Sequence, residues 1–117
     1  MMWQIDYYTE PSGRQPVAEW FKSLNNEIRL HMRDKVVRLQ QNGLVLLNTS
    51  MMEPIKGYGG DFYEIKYSNY RIALYHETAS NTFILLHGFK KERMRESREI
   101  GIAYSRLREY QSRRQIP

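Results

Sequence analysis

The chain has 117 residues, 41% hydrophobic and 26% charged, which fits one domain with a single modest core. No apolar run approaches the roughly 18 residues of a membrane span, the N-terminus lacks a basic start leading into an apolar core, and the absence of cysteine excludes disulfides and thiolate metal sites. These features fit a cytoplasmic protein with no membrane attachment. Net charge is +5, and the basic excess falls in the second half, where residues 61–117 hold eleven cations against seven carboxylates. Its densest part is "KKERMRESR", Lys90 to Arg98, with five cations and two carboxylates. Such a run is either a solvated face or a phosphate-binding footprint.

In chain order, "MWQIDYY" is short, apolar-rich and followed by the turn signal "EPSG", so Met2 to Tyr8 reads as a strand. Pro16 suits the first turn of a helix, and Val17, Trp20, Phe21 and Leu24 follow at helical spacing. Asn25 and Asn26 break that helix and can cap the next. Ile28, Met32, Val36 and Leu39 keep the period, and Gly43 stands where a helix would end. The prediction is a helical hairpin over 16–24 and 26–42.

"LVLLNTSMMEP" is either loop or apolar packing under that hairpin. "PIKGYGGDFYEIKY" reads as a short strand carrying Lys56, a glycine turn and a longer strand. "YRIALYHE", a turn at Thr78 to Asn81, and "TFILLHGF" supply two more strands. Ile100, Ala103, Tyr104, Leu107 and Tyr110 form a helical stripe over about Ser97 to Gln111. The order β-α-α-β-β-β-β-α predicts an α+β domain, an antiparallel sheet packed with an N-terminal helical hairpin and a C-terminal helix.

Alternation across the strands places Tyr63, Ile65 and Tyr67 on one face and Glu64 and Lys66 on the other. With Ile72 and Leu74 in the core, Arg71, Ala73 and Tyr75 take the opposite face. A turn at Ser68-Asn69 then sets Ile65 against Ile72 and Lys66 against Arg71. Like charges directly opposed across a sheet cost stability. Either they splay into water with Glu64, diagonal to Arg71, relieving the strain, or an anion completes the face. A phosphodiester suits the second case, since Arg offers a planar fork and Lys a point charge.

The ordered series "IKGYGG-FYEIKY--YRIALY", "FILLHGFKKER" and "REIGIA-SRLREY" resembles the phage-derived Gp49-like, HigB-type toxins of the RelE/ParE superfamily, from about Met2 to Tyr110. The resemblance implies one compact RelE-like toxin domain over 1–117. It also implies a type II toxin–antitoxin toxin, a ribosome-dependent mRNA endonuclease working without a metal or other cofactor. The implied partners are the ribosome and mRNA, and a HigA-like helix-turn-helix antitoxin through whose complex alone operator DNA is bound. Arg71 matches the arginine such nucleases use on the scissile phosphate, and Lys91 falls where relatives carry a functional arginine. Lys56 and Lys66 lie where relatives place catalytic or mRNA-binding cations. The family's catalytic tyrosine is replaced by Ser97.

Metal-free RNA cleavage needs a group to take the proton of the 2′-OH, charge to stabilise the phosphate, and a proton for the leaving oxygen. Arg71 is the choice for the phosphate; Lys66 and Lys91 share that charge or transfer a proton; Glu64 is a base or an orienter of Arg71. His31 reads as structural or solvated and His76 as packed, whereas His87, ending the last strand before Lys90, is either an acid–base group or a hydrogen-bonded core histidine. Lys90, Arg93, Arg95 and Tyr75 complete the RNA-binding set, and Tyr58 and Tyr70 share with Tyr75 the choice between base stacking and sheet packing. The rival functions are a ParE-like gyrase inhibitor and a non-catalytic protein acting with a helix-turn-helix partner.

Overall fold

The computed structural model describes residues 2–92 and 96–114. Among these residues, five strands form one sheet in the order β1-β5-β4-β3-β2. The strands are β1 (Gln4–Tyr7), β2 (Met52–Pro54), β3 (Phe62–Tyr67), β4 (Tyr70–Glu77) and β5 (Thr82–Lys90). The helices are α1 (Pro16–Ser23), α2 (Asn26–Asn42) and α3 (Glu96–Arg114). No helix among the described residues is long and apolar enough to cross a membrane.

The helical hairpin forms as its caps dictate. Pro16 opens α1, and the Asn25 side chain accepts a hydrogen bond from the Ile28 N–H at 3.0 Å, satisfying one of the free donors at the start of α2. Gly43 ends α2 at φ +59°, and a Cβ there would lie 1.9 Å from the Trp3 ring, so both backbone conformation and packing demand glycine. The following "GLVLLN" is a 3-10 helix, Gly43–Asn48, with Leu46 buried and Leu44 and Leu47 against the core. Of the two readings of that segment, apolar packing holds.

Two cores sandwich the sheet. On one face Val17, Phe21, Met32 and Leu39 of the hairpin pack on Ile65, Ile72, Leu74, Phe83 and Leu85. On the other, Ile100, Ala103 and Leu107 of α3 pack on Phe62, Ala73, Ile84, Leu86 and Phe89. Each helical stripe buries against one side of the same strands, which is why β4 and β5 read as nearly continuous apolar runs.

The meander β2-β3-β4-β5 is antiparallel as expected, with Ile65 opposite Ile72 and Lys66 opposite Arg71. The first strand departs from that pattern. It runs parallel to β5, pairing Ile5 with Phe83, because the helical hairpin carries the chain across one face of the sheet from the β1 edge to the β2 edge.

A second irregularity lies in β5. Ala73 pairs with His87, but Leu74 pairs with Leu85, leaving Leu86 as an extra residue. The bulge lets consecutive Leu86 and His87 both point toward α3. Beyond it Gly88 faces the hairpin, where a Cβ would meet the Trp20 ring at 2.2 Å.

Lys56 is not on a strand. β2 ends at Pro54, and the Ile55 N–H bonds to the Phe62 carbonyl at 2.8 Å. This closes a loop in which Gly57, Gly59, Gly60 and Asp61 all have positive φ. The chain therefore leaves the sheet before reaching the lysine.

Candidate functional site

The α3-facing side of the sheet near the Ser68-Asn69 turn gathers most of the charged residues singled out in the sequence. Pairing places Glu53, Glu64, Ala73 and His87 in one row across β2 to β5, and Lys66, Arg71 and Phe89 in the next. Lys91 joins them because its N–H bonds to the Asn69 carbonyl at 2.6 Å, holding the end of β5 against the hairpin turn. A cleft of about 400 Å³ opens beside these rows, lined by Glu53, Ile55, Tyr58, Glu64, Glu96 and Ser97 among others.

Arg71 is 8% exposed. Its NH1 donates to the carbonyls of Ser68 at 2.6 Å and Tyr70 at 3.0 Å, locking the guanidinium under the turn. Its Nε lies 3.7 Å from Glu64 Oε1 and is buried without a hydrogen-bond partner. A buried donor left unmade is costly, and the anion nearest this one is the Glu64 carboxylate. Glu64 is itself buried, at 6% exposure. Burial raises its pKa above the usual carboxylate range, with Arg71 pulling the other way.

The cations are not a bare cluster. Lys66 Nζ sits 2.5 Å from Glu53 Oε1, and Lys91 Nζ sits 3.7 Å from Glu96 Oε2. The hydrogen bond from Lys66 holds the Glu53 carboxyl below its ordinary pKa. The sequence left two readings, cations relieved by Glu64 or a face completed by an anion; the structure shows three cations each facing a glutamate, Glu64 among them, with the guanidinium covered. The physical reason is topological. β2 brings Glu53 beside β3, and α3 begins with Glu96 over the cleft. Neither carboxylate is among the site residues expected from the sequence; Glu53 lies within β2 itself.

His87 is held from both sides. Its Nε2 meets a Glu99 carboxylate oxygen and its Nδ1 meets Arg106 NH1 at 2.9 Å, while the same NH1 donates to the Leu86 carbonyl. Arg106 can only donate, so Nδ1 accepts and Nε2 carries the proton. Burial lowers the pKa of His87, reinforced by the Arg106 charge and opposed by Glu99. Of the two roles open to it, the hydrogen-bonded core histidine is the one built here: a tie between β5 and α3 with no free ring nitrogen for acid–base work.

Three further residues depart from the expected site. Lys90 pairs with Tyr70 on the hairpin side of the sheet, its Nζ 5.7 Å from the Tyr70 ring; alternation after Phe89 turns it away from Arg71. Tyr75 is on the correct face but four residues along β4, beside Tyr110 at 6.4 Å between ring centres. Lys56 is exposed in the loop after β2. Arg93 and Arg95 lie outside the described residues. His76 is packed as expected, between Trp3 and Phe83, and His31 stacks on Tyr67 at 4.2 Å. Among the described residues no group of three or more His, Asp or Glu side chains could hold a metal ion.

The fold resembles those of solved toxins. The E. coli toxin RelE, as an arginine double mutant in the free state, superposes with a TM-score of 0.62 at 17% identity, covering 94% of this chain and 98% of RelE. The isolated E. coli RelE toxin gives 0.58 at 18% identity, covering 85% and 95%. The toxin in the intact E. coli RelBE toxin–antitoxin complex gives 0.56 at 19% identity, covering 78% and 99%. No curated protein sequence matches. The model of the family described as phage derived protein Gp49-like matches residues 19–108. That span takes in most of the helical hairpin, the charged rows and most of α3, and the chain therefore belongs to the Gp49-like family, built on the RelE-type α+β fold.

Proposed function

We propose that this protein is the toxin of a type II toxin–antitoxin pair and acts as an endoribonuclease on ribosome-bound mRNA. The observation carrying this reading is the gathering of Arg71, Lys66 and Lys91 at one end of the sheet around the buried carboxylate Glu64, which lines an open cleft. Membership of the Gp49-like family and the likeness to RelE support it.

In the proposed reaction the 2′-OH attacks the adjacent phosphorus and the bond to the 5′-oxygen breaks, giving a cyclic phosphate and a free 5′-OH. Arg71 holds the phosphate charge as it builds up. Glu64 accepts the proton of the 2′-OH, its raised pKa making it a better base than an exposed carboxylate. Lys66 or Lys91 delivers a proton to the leaving oxygen. For RNA to enter, its phosphates must replace Glu53 and Glu96 as partners of the two lysines. A sparse site of this kind gains from a ribosome that positions the strand.

The partner in this reading is a HigA-like helix-turn-helix antitoxin, with operator DNA bound only through the complex. The carboxylate pairing of Lys66, Arg71 and Lys91 favours a second reading, in which the face binds a protein target such as gyrase and cuts nothing. Induced expression followed by mapping of mRNA 5′ ends separates the two. New 5′ ends within translated codons, absent with Arg71→Ala, support cleavage. Growth arrest without new 5′ ends overturns it.

A further inference from the structure

Two clefts share Tyr58 as a common wall. The first is the one beside the charged rows. The second, of about 330 Å³, is lined by Tyr58, Gly60, Asp61, Tyr104 and Arg108 among others. Tyr58 is carried by the loop between β2 and β3, whose Gly57, Gly59 and Gly60 have φ of +92°, +93° and +97°. A Cβ at any of the three would meet nothing within 4 Å, so these glycines serve backbone conformation and not close packing. They turn the chain so that the Tyr58 ring lies 4.8 Å from Tyr104 and edge-on to Phe62 at 5.5 Å. Both tyrosines remain half-buried.

On α3, Ser97, Gly101, Tyr104 and Arg108 fall at i, i+4, i+7 and i+11, one stripe along the helix. Ser97 lines the first cleft and Tyr104 and Arg108 the second. The stripe spans about 16 Å at the helical rise of 1.5 Å per residue. Arg108 is exposed. Its guanidinium lies 5.8 Å from the Tyr104 ring and donates weakly to the Tyr104 hydroxyl at 3.4 Å. Among the described residues it forms no ion pair, unlike Lys66, Arg71 and Lys91; Asp61 is the carboxylate lining the same cleft.

Aromatic rings, a guanidinium without an ion-pair partner among the described residues and a path to the charged rows suit single-stranded RNA. Unpaired bases stack on aromatic rings, and arginine takes phosphate. A double helix fits less well, since its bases have no free face. We propose that the groove between the 55–61 loop and α3 is a single-stranded RNA subsite. In it a base flanking the cleaved bond stacks against the Tyr58–Tyr104 pair while Arg108 binds a neighbouring phosphate. The placement relative to a cleaved bond rests on the endoribonuclease reading; the RNA contact does not.

The test uses a fluorescein-labelled 2′-O-methyl octauridylate, which cannot be cleaved through its 2′ position, titrated with the full chain at low salt and read by anisotropy. Arg108→Ala should weaken binding several-fold and reduce the salt slope by a little less than one. Tyr58→Leu should weaken it about tenfold, the size of one lost base stack, and Tyr58→Phe should bind as the parent does. Thermal melts check folding, and exposed Arg108 keeps the test valid if Tyr58→Leu unfolds. Parent affinity and salt slope in Arg108→Ala, or no binding by the parent chain, overturns the subsite. RNA binding that depends on Tyr58 and Arg108 in a chain that produces no new mRNA 5′ ends would sink the nuclease reading and leave the subsite standing.

Discussion

Lys66 and Arg71 face each other across the β3–β4 hairpin, and each is answered by a different glutamate: Glu53 at 2.5 Å and Glu64 at 3.7 Å. The two pairs differ in surroundings. Glu53 is half-exposed, whereas Glu64 and Arg71 are both buried. The same charge chemistry therefore has different consequences one strand apart, and two predictions separate them.

For the buried pair, truncation of one partner strands the other. Arg71→Ala removes two hydrogen bonds to the turn carbonyls and leaves Glu64 buried without its cation. A loss of about 3 kcal/mol in urea unfolding at pH 7 is expected, the lower end of the range for breaking buried pairs because the ions stand 3.7 Å apart. The double variant Arg71→Met with Glu64→Leu should recover most of it. A double variant no more stable than Arg71→Ala would show that the turn hydrogen bonds, not the stranded charge, set the cost.

For the exposed pair, Glu53→Gln should change stability by less than about 1 kcal/mol. Its effect should appear in binding. Glu53 holds Lys66 at 2.5 Å and competes with any phosphate for it. Removing that charge should tighten binding of the non-cleavable octauridylate about two- to fivefold at low salt, with the gain fading as salt screens the face. Unchanged affinity would mean that RNA does not visit Lys66.

The His87 tie predicts a pH dependence of stability. Its folded pKa lies below the ordinary 6.5, with burial the leading cause and Arg106 adding to it against Glu99. The unfolded chain therefore binds more protons in the window between the two values. The contribution of this group is fully present above about pH 6.5 and is lost as pH falls through the folded pKa. His87→Gln can donate to Glu99 and accept from Arg106 without titrating. Between pH 7.5 and 5 the parent should lose more unfolding free energy than the variant, by at most about 1.4 kcal/mol per pH unit. Parallel profiles for the two proteins would count against the tie.

The sequence carried the local part of this site a long way. Alternation and two core residues, Ile65 and Ile72, were enough to oppose Lys66 and Arg71 and to put Glu64 on the diagonal, because a one-residue slip of one strand would have turned its isoleucine away from the core under the helical hairpin. The same alternation, applied past Phe89, places Lys90 on the far face. His87 was harder, since its direction depends on the bulge at Leu86, for which a continuous apolar run gives no sign.

The residue order by itself determined the helical hairpin, its caps, the register of β3 on β4 and the sheet face that carries the cations, all consequences of periodicities that act over a few residues. Only the tertiary structure decided that Glu53 and Glu96 meet Lys66 and Lys91, that β1 lies parallel beside β5, and that α3 brings Tyr104 to Tyr58. The last two contacts join segments dozens of residues apart, and they are fixed by which apolar faces can be buried together, a choice that no local pattern of side chains encodes.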